Sequence, residues 1–381
     1  MGSTWDYFRQ LFMRNNNALN RCRIFTLLAL TPAAATASDL TLTFIDVGQG
    51  DATLISADDL HILVDGGTPR HDVADHLRGE GIGHIDLLVA THPHADHIGG
   101  QVGVLERKSV GTIWYSGDEH TTQTFEAWID AALEADADYR EPVRGEGWEA
   151  EDLAVTLLHP AAETGGSDLH DRNLVVRIEH GECSALITGD IERDREAEIL
   201  DAGVEVDADV LELGHHGSRT STSSRWLDAV QPDIAVVQYR AGNQYGHPHG
   251  EVLDRVQATG AEVLGTGAHG SIELSCDSAG EWHIATERTG TVRAGDGADD
   301  AADAETGGGG VTSRGAPPSS CIDLNRAPRQ DLEEIVHIGP NRAEEIVDGR
   351  RWSSVGELDE LHGIGRVRLQ EIKEQGDACV R

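Results

Sequence analysis

A dense group of metal-ligand side chains follows an apolar run in this sequence. Residues 85–90 are mostly apolar and predict a buried strand, and the loop after it carries His92, His94, Asp96 and His97 within six positions. Imidazole and carboxylate groups are the ligand types that zinc and its neighbours prefer. A polar turn that is rich in histidine by chance accounts poorly for this spacing. The sequence therefore predicts a metal site at the carboxyl end of a strand.

Other apolar runs also end in a polar side chain with glycine beside it. The groups that follow these runs are Asp46, Asp65, Asp190 and the adjacent pair His215 and His216. Strands that deliver polar groups to one sheet edge build a shared site, and glycine lets the backbone approach closely. We therefore expect these side chains to meet the histidine-rich loop.

The length and net charge of the chain bear on its number of domains and its binding partners. A chain of 381 residues suggests two domains. Its 67 acidic and 30 basic residues give a net charge of -37, which opposes nucleic-acid binding at low salt. Arginine supplies every basic residue except Lys108 and Lys373, a pattern that favours adaptation to high salt. Because the Debye length is ~3 Å in molar salt, the net charge would then exclude few partners. An acidic protein of low-salt origin remains the alternative.

The first 38 residues have the order of a signal peptide. Three arginines between positions 14 and 23 precede an apolar stretch at 24–30 and small residues at 33–38. This order predicts a secreted or cell-surface protein, with a cytoplasmic protein carrying a disordered tail as the alternative. The apolar stretch is far shorter than the ~20 residues of a membrane helix, so no membrane-spanning segment is expected once the leader is removed.

The cysteines leave two interpretations open. Removal of the leader would leave Cys183, Cys276, Cys321 and Cys379, an even number that allows two disulfides. Buried free thiols are the interpretation that we favour slightly from the sequence.

Composition divides the chain into segments. Residues 39–288 alternate apolar runs with polar loops, whereas residues 289–320 are rich in glycine, alanine and acidic residues and predict a flexible linker. Residues 331–346 then align without a gap on residues 357–372. Each copy predicts a helix, a glycine-containing turn and a second helix. A plain four-helix packing unit for protein contacts is the alternative.

The order of these motifs resembles that of the metallo-β-lactamase superfamily. The amino-acid sequences of the motifs resemble those in the hydrolase-like domain of ComEC competence proteins. The motifs are the segments at 44–52, 65–67, 91–100, 186–191, 213–218 and 243–248, and the resemblance covers about residues 39–286. Residues 321–381 resemble the tandem helix-hairpin-helix module of ComEA-type DNA receptors. The resemblance implies an α/β fold, an αββα sandwich, followed by a small all-α helix-hairpin-helix domain.

The resemblance also implies a centre with two divalent metal ions, zinc being expected and manganese or iron remaining open. His92 and His94 would bind the first ion; Asp96, His97 and His215 would bind the second; Asp190 would bridge them and Asp65 would orient the group. Asp96, Asp190 and Asp65 are the predicted catalytic carboxylates. His216 competes with His215, which we prefer because it follows its strand at the same step as His92.

The first ion lacks a clear third ligand in the sequence. His159 is the best-placed candidate, although a structural histidine that closes a strand is the interpretation we favour. Predicted substrate contacts are His216, Ser218, Asn243 and His247.

Residues 321–381 indicate the kind of substrate. In a helix-hairpin-helix, backbone N–H groups of the turn bind phosphate, so binding would be independent of sequence. The residues concerned are Ile338, Gly339, Asn341, Arg342, Gly363, Ile364, Gly365 and Arg366. We therefore expect a metal-dependent DNA phosphodiesterase, with a membrane DNA-uptake channel as a candidate partner. The alternatives are a DNA-capture protein whose metal site is structural or inactive, and a hydrolase of a lactam, a thioester or a small phosphodiester.

Overall fold

The computed structural model describes residues 39–295, except 167, and parts of 322–380. The predicted leader and residues 296–320 of the predicted linker lie outside the described residues. Contacts divide the chain into two compact units, the first holding most residues up to Asp296 and the second most of those after it. Among the described residues, no helix combines the length and the apolar composition needed to cross a membrane.

The described strands of the first unit form two sheets. In chain order they are β1 (Leu40–Phe44), β2 (Ala52–Ala57), β3 (Leu60–Asp65), β4 (His84–Ala90), β5 (Ser109–Tyr115), β6 (Asp138–Arg140), β7 (Gly147–Ala150), β8 (Leu153–His159), β9 (Val175–His180), β10 (Cys183–Ile187), β11 (Val210–Glu212), β12 (Ile234–Val237), β13 (Glu262–Gly265), β14 (Ile272–Cys276) and β15 (Trp282–Thr286). The first sheet has the order β15-β14-β1-β2-β3-β4-β5-β6, and the second has the order β13-β12-β11-β10-β9-β8-β7.

Helices pack on the outer face of each sheet. They are α1 (Val73–Gly79), α2 (Ala95–Ile98), α3 (Gln101–Arg107), α4 (Gln123–Glu134), α5 (Arg193–Asp201), α6 (Ser224–Val230), α7 (Gly250–Thr259) and α8 (Thr266–His269). Trp128 of α4 belongs to the core outside the first sheet, and Trp226 of α6 belongs to the core outside the second. A third core, which includes Phe44 and Leu157, fills the space between the sheets. The predicted αββα sandwich is confirmed.

Strand β4 explains why its sequence reads as one apolar run. Leu87 and Val89 belong to the core between the sheets, whereas Leu88 and Ala90 belong to the core under the helices. A strand buried on both faces needs apolar side chains at every position. The histidine-rich loop therefore begins where the apolar run ends.

Parallel pairing brings the predicted site residues together. Val64 of β3 lies opposite Val89 of β4, so Asp65 and the loop after β4 share one sheet edge. In the second sheet, Leu186 of β10 lies opposite Leu211 of β11. The segments that carry Asp190 and the two adjacent histidines thus follow neighbouring strands.

A disulfide joins the two sheets. Cys183 at the start of β10 is bonded to Cys276 at the end of β14, and both lie in the core between the sheets. Cys379 is disulfide-bonded as well, while Cys321 lies outside the described residues. The free-thiol interpretation is therefore wrong for these cysteines, because folding brings strands from distant parts of the sequence into contact.

Removal of the Cys183–Cys276 bond should destabilise the first unit. Its sequence separation of 93 residues implies a loss of roughly 4 kcal/mol in the free energy of unfolding, since the bond restricts the unfolded chain. Denaturant unfolding of C183A/C276A against the oxidised protein measures this loss. Reductant should lower the stability of the first unit in the parent protein and leave the unfolding transition of that unit in place in the double variant, which keeps the disulfide of Cys379 in the second unit. Equal stability of the oxidised protein and the double variant would contradict the prediction.

The second unit has its own small core. The matching positions of the sequence repeat are buried together, namely Leu332 with Leu358, Ile335 with Leu361 and Ile346 with Ile372. The described elements are β16 (Ile322–Asp323), α9 (Arg329–Leu332), a 3-10 helix at Val355–Glu360 and β17 (Ala378–Cys379). Strands β16 and β17 pair in parallel, so the expectation of an all-α unit needs correction.

The predicted DNA contacts in this unit are described only in part. The Ile338 side chain is buried in the core and Arg342 is half-buried. Gly339, Asn341, Gly363, Ile364, Gly365 and Arg366 lie outside the described residues.

Candidate metal centre

Asp65 connects two parts of the histidine-rich loop. Its Oδ1 accepts a hydrogen bond of 2.9 Å from the Thr91 backbone N–H, and its Oδ2 accepts one of 2.7 Å from the Thr91 hydroxyl. The same Oδ2 lies 2.8 Å from Nδ1 of His97. Because a carboxylate accepts, Nδ1 of His97 carries a proton and its Nε2 is left to face the other site residues.

Four side chains form a first group with metal-ligand geometry. One ligand atom each from His92, His94, His170 and Asp190 lie within 4.8 Å of one another. Nε2 of His92 is 2.9 Å from Nδ1 of His94 and 3.7 Å from Oδ2 of Asp190. Nε2 of His170 is also 3.7 Å from that oxygen. Three imidazoles and a carboxylate thus surround one small space.

Asp96, His97 and His216 form a second group with the same property. Nε2 of His216 is 3.4 Å from Oδ2 of Asp96 and 3.7 Å from Oδ1 of Asp190. Nε2 of His97 is 3.4 Å from Oδ2 of Asp190. Asp190 therefore lies between the two groups, with one carboxylate against both.

Unpaired polar atoms in the described residues support a fit to cations. Nε2 of His97, His170 and His216 and Oδ1 of Asp190 are buried and have no hydrogen-bond partner there. Buried polar atoms almost always have partners. Here the three imidazole nitrogens converge on the Asp190 carboxylate. The nitrogen and oxygen donors suit zinc and related divalent ions.

The electrostatics divide the histidines into two kinds. Burial lowers the pKa of His94 to about 3, and burial together with neighbouring imidazoles holds the pKa of His92 well below its usual range. Burial also opposes a charge on His97 and His216, but adjacent carboxylates, Asp190 among them, raise both pKa values well above the usual range. Burial raises the pKa of Asp190, but the imidazoles of His97, His215 and His216 hold it well below its ordinary value.

The turn after β11 decides between the adjacent histidines. His215 and His216 have φ values of 51° and 54°, a left-handed conformation that is uncommon outside glycine and concentrates at functional sites. Nδ1 of His216 lies 3.0 Å from Oδ1 of Asp51 and 3.1 Å from the Gln238 carbonyl oxygen, which directs its Nε2 to Asp96. The geometry thus replaces His215 by His216 in the second group. Asp51 was not assigned a role from sequence, although it ends a glycine-rich motif.

His215 occupies the edge of the centre instead. Its Nδ1 is 3.5 Å from Oε1 of Glu192 and its Nε2 is 3.8 Å from Oδ2 of Asp190. The side chain is 24% exposed, whereas the side chain of His216 is 3% exposed. His215 therefore faces the opening of the site.

His159 is not part of either group. Its Nδ1 is 2.7 Å from the Asn173 carbonyl oxygen and its Nε2 is 4.0 Å from Oε2 of Glu198. His170, from the loop before β9, takes the place that the sequence left open for a third ligand. Its Nδ1 lies 2.8 Å from Oδ1 of Asp168.

The predicted substrate contacts are found near the centre but have different surroundings. The ring of His247 lies 5.8 Å from that of His215. The Asn243 side-chain amide donates to the carbonyl oxygens of Arg240 and His247, so Asn243 holds the turn together. The Ser218 hydroxyl lies 3.0 Å from the Thr220 hydroxyl. All three side chains are buried, with exposures of 4% for Asn243, 5% for Ser218 and 7% for His247.

Comparison with known proteins identifies the fold family. The family model for the metallo-beta-lactamase superfamily matches residues 45–241, which include both ligand groups. The chain belongs to the metallo-β-lactamase superfamily. Its sandwich and the placement of the ligand groups at strand ends agree with this membership.

Several named proteins match parts of this chain. The chain is 29% identical over 272 residues to ComE operon protein 3 of Bacillus subtilis, which covers 66% of this chain and 35% of that protein. It is 28% identical over 258 residues to competence protein ComA of Neisseria gonorrhoeae, covering 65% and 34%. A further match, 53% identical over 62 residues, is to a deoxyribonuclease of Thioalkalivibrio and covers 16% and 17%. The chain thus spans about a third of the length of the first two relatives.

Proposed function

We propose that this chain is a metal-dependent DNA phosphodiesterase that works with two divalent ions, zinc being preferred. The observation that carries the proposal is the position of Asp190 between two groups of imidazole and carboxylate ligands. His92, His94 and His170 would hold the first ion, Asp96, His97 and His216 would hold the second, and Asp190 would contact both. Asp65 would keep His97 in the tautomer that binds through Nε2.

Bound divalent ions would supply Lewis acidity, lower the pKa of a coordinated water towards ~7 and neutralise charge on phosphoryl oxygens. The chain's own residues prepare the site for this chemistry. The Asp65 carboxylate restrains His97, and Asp51 restrains His216, so both imidazoles keep one orientation. Their fixed positions avoid reorganisation during the reaction, which is where electrostatic catalysis gains most.

His215 and His247 would contact the substrate. His215 is partly exposed beside Asp190, and the ring of His247 lies 5.8 Å from that of His215. An anionic phosphodiester would approach past His215, because Asp65 and Thr91 at the same centre are buried.

Several observations support DNA as the substrate. Relatives named as a competence protein and a deoxyribonuclease match parts of this chain. The repeat at 321–381, whose matching positions share one core, would bind DNA through backbone groups without reading its sequence. We further propose that the protein acts outside the cytoplasm, beside a DNA-uptake channel. The disulfides support this location, since such bonds persist in oxidising compartments.

Cleavage of plasmid DNA in high salt tests the proposal. The purified chain should degrade DNA when Zn or Mn is present, and a chelator should stop cleavage while DNA remains bound. Linear and circular forms of the same plasmid distinguish exonuclease from endonuclease action. Full metal occupancy with no cleavage of either form would favour DNA capture and overturn the enzymatic proposal.

A chain that ends at residue 320 is the matched control. It should keep its metal and hydrolyse a small phosphodiester such as bis(4-nitrophenyl) phosphate, because both ligand groups lie before residue 320. Its affinity for DNA should fall by about tenfold or more, as phosphate contacts are lost. Unchanged DNA affinity would contradict the role of the repeat in DNA binding. Hydrolysis of lactams or thioesters in preference to phosphodiesters would show that DNA is not the substrate.

A further inference from the structure

A fully buried carboxyl group lies next to the metal centre without belonging to either ligand group. Glu212, the last residue of β11, is 1% exposed. Its Oε2 accepts hydrogen bonds of 2.9 Å from the Thr188 N–H and 3.0 Å from the Gly189 N–H. Its Oε1 accepts a bond of 2.6 Å from Nε2 of Gln238. These three partners, two backbone N–H groups and one side-chain amide, are all donors, so the carboxyl group accepts in each bond.

Gln238 extends this network to the other sheet. Its Oε1 accepts a hydrogen bond of 3.0 Å from the Ala52 backbone N–H in β2, and its Nε2 also donates to the Thr53 hydroxyl at 3.0 Å. Its own backbone oxygen lies 3.1 Å from Nδ1 of His216. Because Oε1 is engaged by Ala52, the amide nitrogen has to face Glu212.

The two side chains therefore contact segments that support both Asp190 and His216. Gly189 directly precedes Asp190, and Ala52 directly follows Asp51, whose carboxylate lies 3.0 Å from His216. These bonds connect the segments that carry the ligands, so a shift in one segment would move a ligand atom of Asp190 or His216. We propose that Glu212 and Gln238 are positioning residues that hold Asp190 and His216 in the geometry needed to bind metal.

Side-chain swaps at these positions test the proposal, which rests on the proposed metal centre. E212Q places an amide N–H₂ against the N–H₂ of Gln238 and breaks the central bond, and Q238E places two carboxyl groups against each other, which repel unless they take up a shared proton, so each single variant disturbs the bond. The double variant E212Q/Q238E restores it with donor and acceptor exchanged, because the new carboxylate can still accept from Ala52. The Thr53 hydroxyl can rotate to donate.

The readout is metal affinity, measured by chelator competition with Zn and with Mn, together with thermal unfolding of the metal-free protein. Loss of a residue that orients metal ligands weakens binding by about 10- to 100-fold, and this is expected for E212Q and for Q238E. The double variant should return to within about threefold of the parent protein. Because the double variant keeps the network, it tests the proposal even where a single variant folds poorly.

Glu196 provides a matched control for burial of a carboxyl group. It is 1% exposed and accepts hydrogen bonds from the backbone N–H groups of Thr222 and Ser223, outside the ligand groups. E196Q should lower the melting temperature without a change in metal affinity.

Parent-like metal affinity in E212Q, or a double variant as weak as the single ones, would overturn the positioning role and leave the proposed function intact. Failure of the parent protein itself to bind metal would overturn the proposed function, and the positioning role with it.

Discussion

His216→Ala is expected to remove one of two metal ions and to lower phosphodiester hydrolysis by about 1,000-fold or more. Its Nε2 faces both Asp96 and Asp190, and no other imidazole in the described residues joins the Asp96 and His97 group. Loss of a metal ion forfeits several kcal/mol of transition-state stabilisation, and each 1.4 kcal/mol is a tenfold change in rate. Metal content per chain and the rate on a small phosphodiester measure the two effects.

His215→Ala is the matched variant for this prediction. The two histidines are adjacent and share the same left-handed backbone, but His215 faces the opening and lies beside Glu192. His215→Ala should keep both ions, and its effect should appear as weaker substrate binding. Loss of metal from His215→Ala with retention in His216→Ala would reverse the assignment and restore the interpretation drawn from the sequence.

The sandwich was predictable because local pattern and tertiary role agree in its strands. The run at 87–90 is apolar throughout, since Leu87 and Leu88 enter different cores, and the ligands begin in the loop that follows the strand. The same agreement made the positions of Asp65 and Asp190 predictable, because Asp65 ends β3 and Asp190 lies shortly after the end of β10. Parallel pairing brings each residue to the edge of its own sheet, and packing of the two sheets against each other brings them together.

The choice between His215 and His216 was not predictable from strand spacing. Counting from the end of a strand assumes extended backbone, as for His92, but the chain enters a left-handed turn at Gly214–Gly217. That turn reverses which side chain points inward. The inward orientation also depends on Asp51 and on the Gln238 carbonyl, which are far from His216 in sequence.

His170 was missed for a different reason. It lies in a loop without an apolar run before it, so the strand-end criterion passes over it even though Asp168 and Asp171 flank it. Packing places it at the centre: the Leu174 N–H donates to the Thr91 carbonyl oxygen, and Oδ1 of Asn173 accepts from the Asp190 N–H. These bonds tie the end of this loop to two ligand segments, so the information lies in tertiary contacts.

In the second unit, residues at matching positions of the repeat share one core, but the alignment did not indicate the strand pair. Leu332 and Leu358 share a core as the alignment implies. The pairing of Ile322 with Ala378 joins residues from opposite ends of the unit, and each strand has only two residues. A strand of that length has no alternating pattern that a sequence could display.

His170→Ala is expected to weaken binding at the first metal position and, where that ion is lost, to lower phosphodiester hydrolysis by about 1,000-fold or more. Without it, the first position keeps His92, His94 and the Asp190 carboxylate that the second group also contacts, so it falls from four candidate ligands to three, the smallest number found in catalytic zinc sites. The physical reason for the rate loss is the same forfeited stabilisation of charge on the phosphoryl group. Metal analysis at increasing chelator concentration should show one ion lost early and the second retained.

His159→Ala separates this role from structural support. His159 is fully buried, and its Nδ1 hydrogen-bonds the Asn173 carbonyl oxygen, so its replacement should destabilise the fold by about 2 kcal/mol while both ions remain. Unfolding and metal content are measured on the same samples. If His159→Ala loses an ion and His170→Ala keeps both, His159 is the third ligand of the first ion. The loop before β9, which carries His170, then has no part in metal binding.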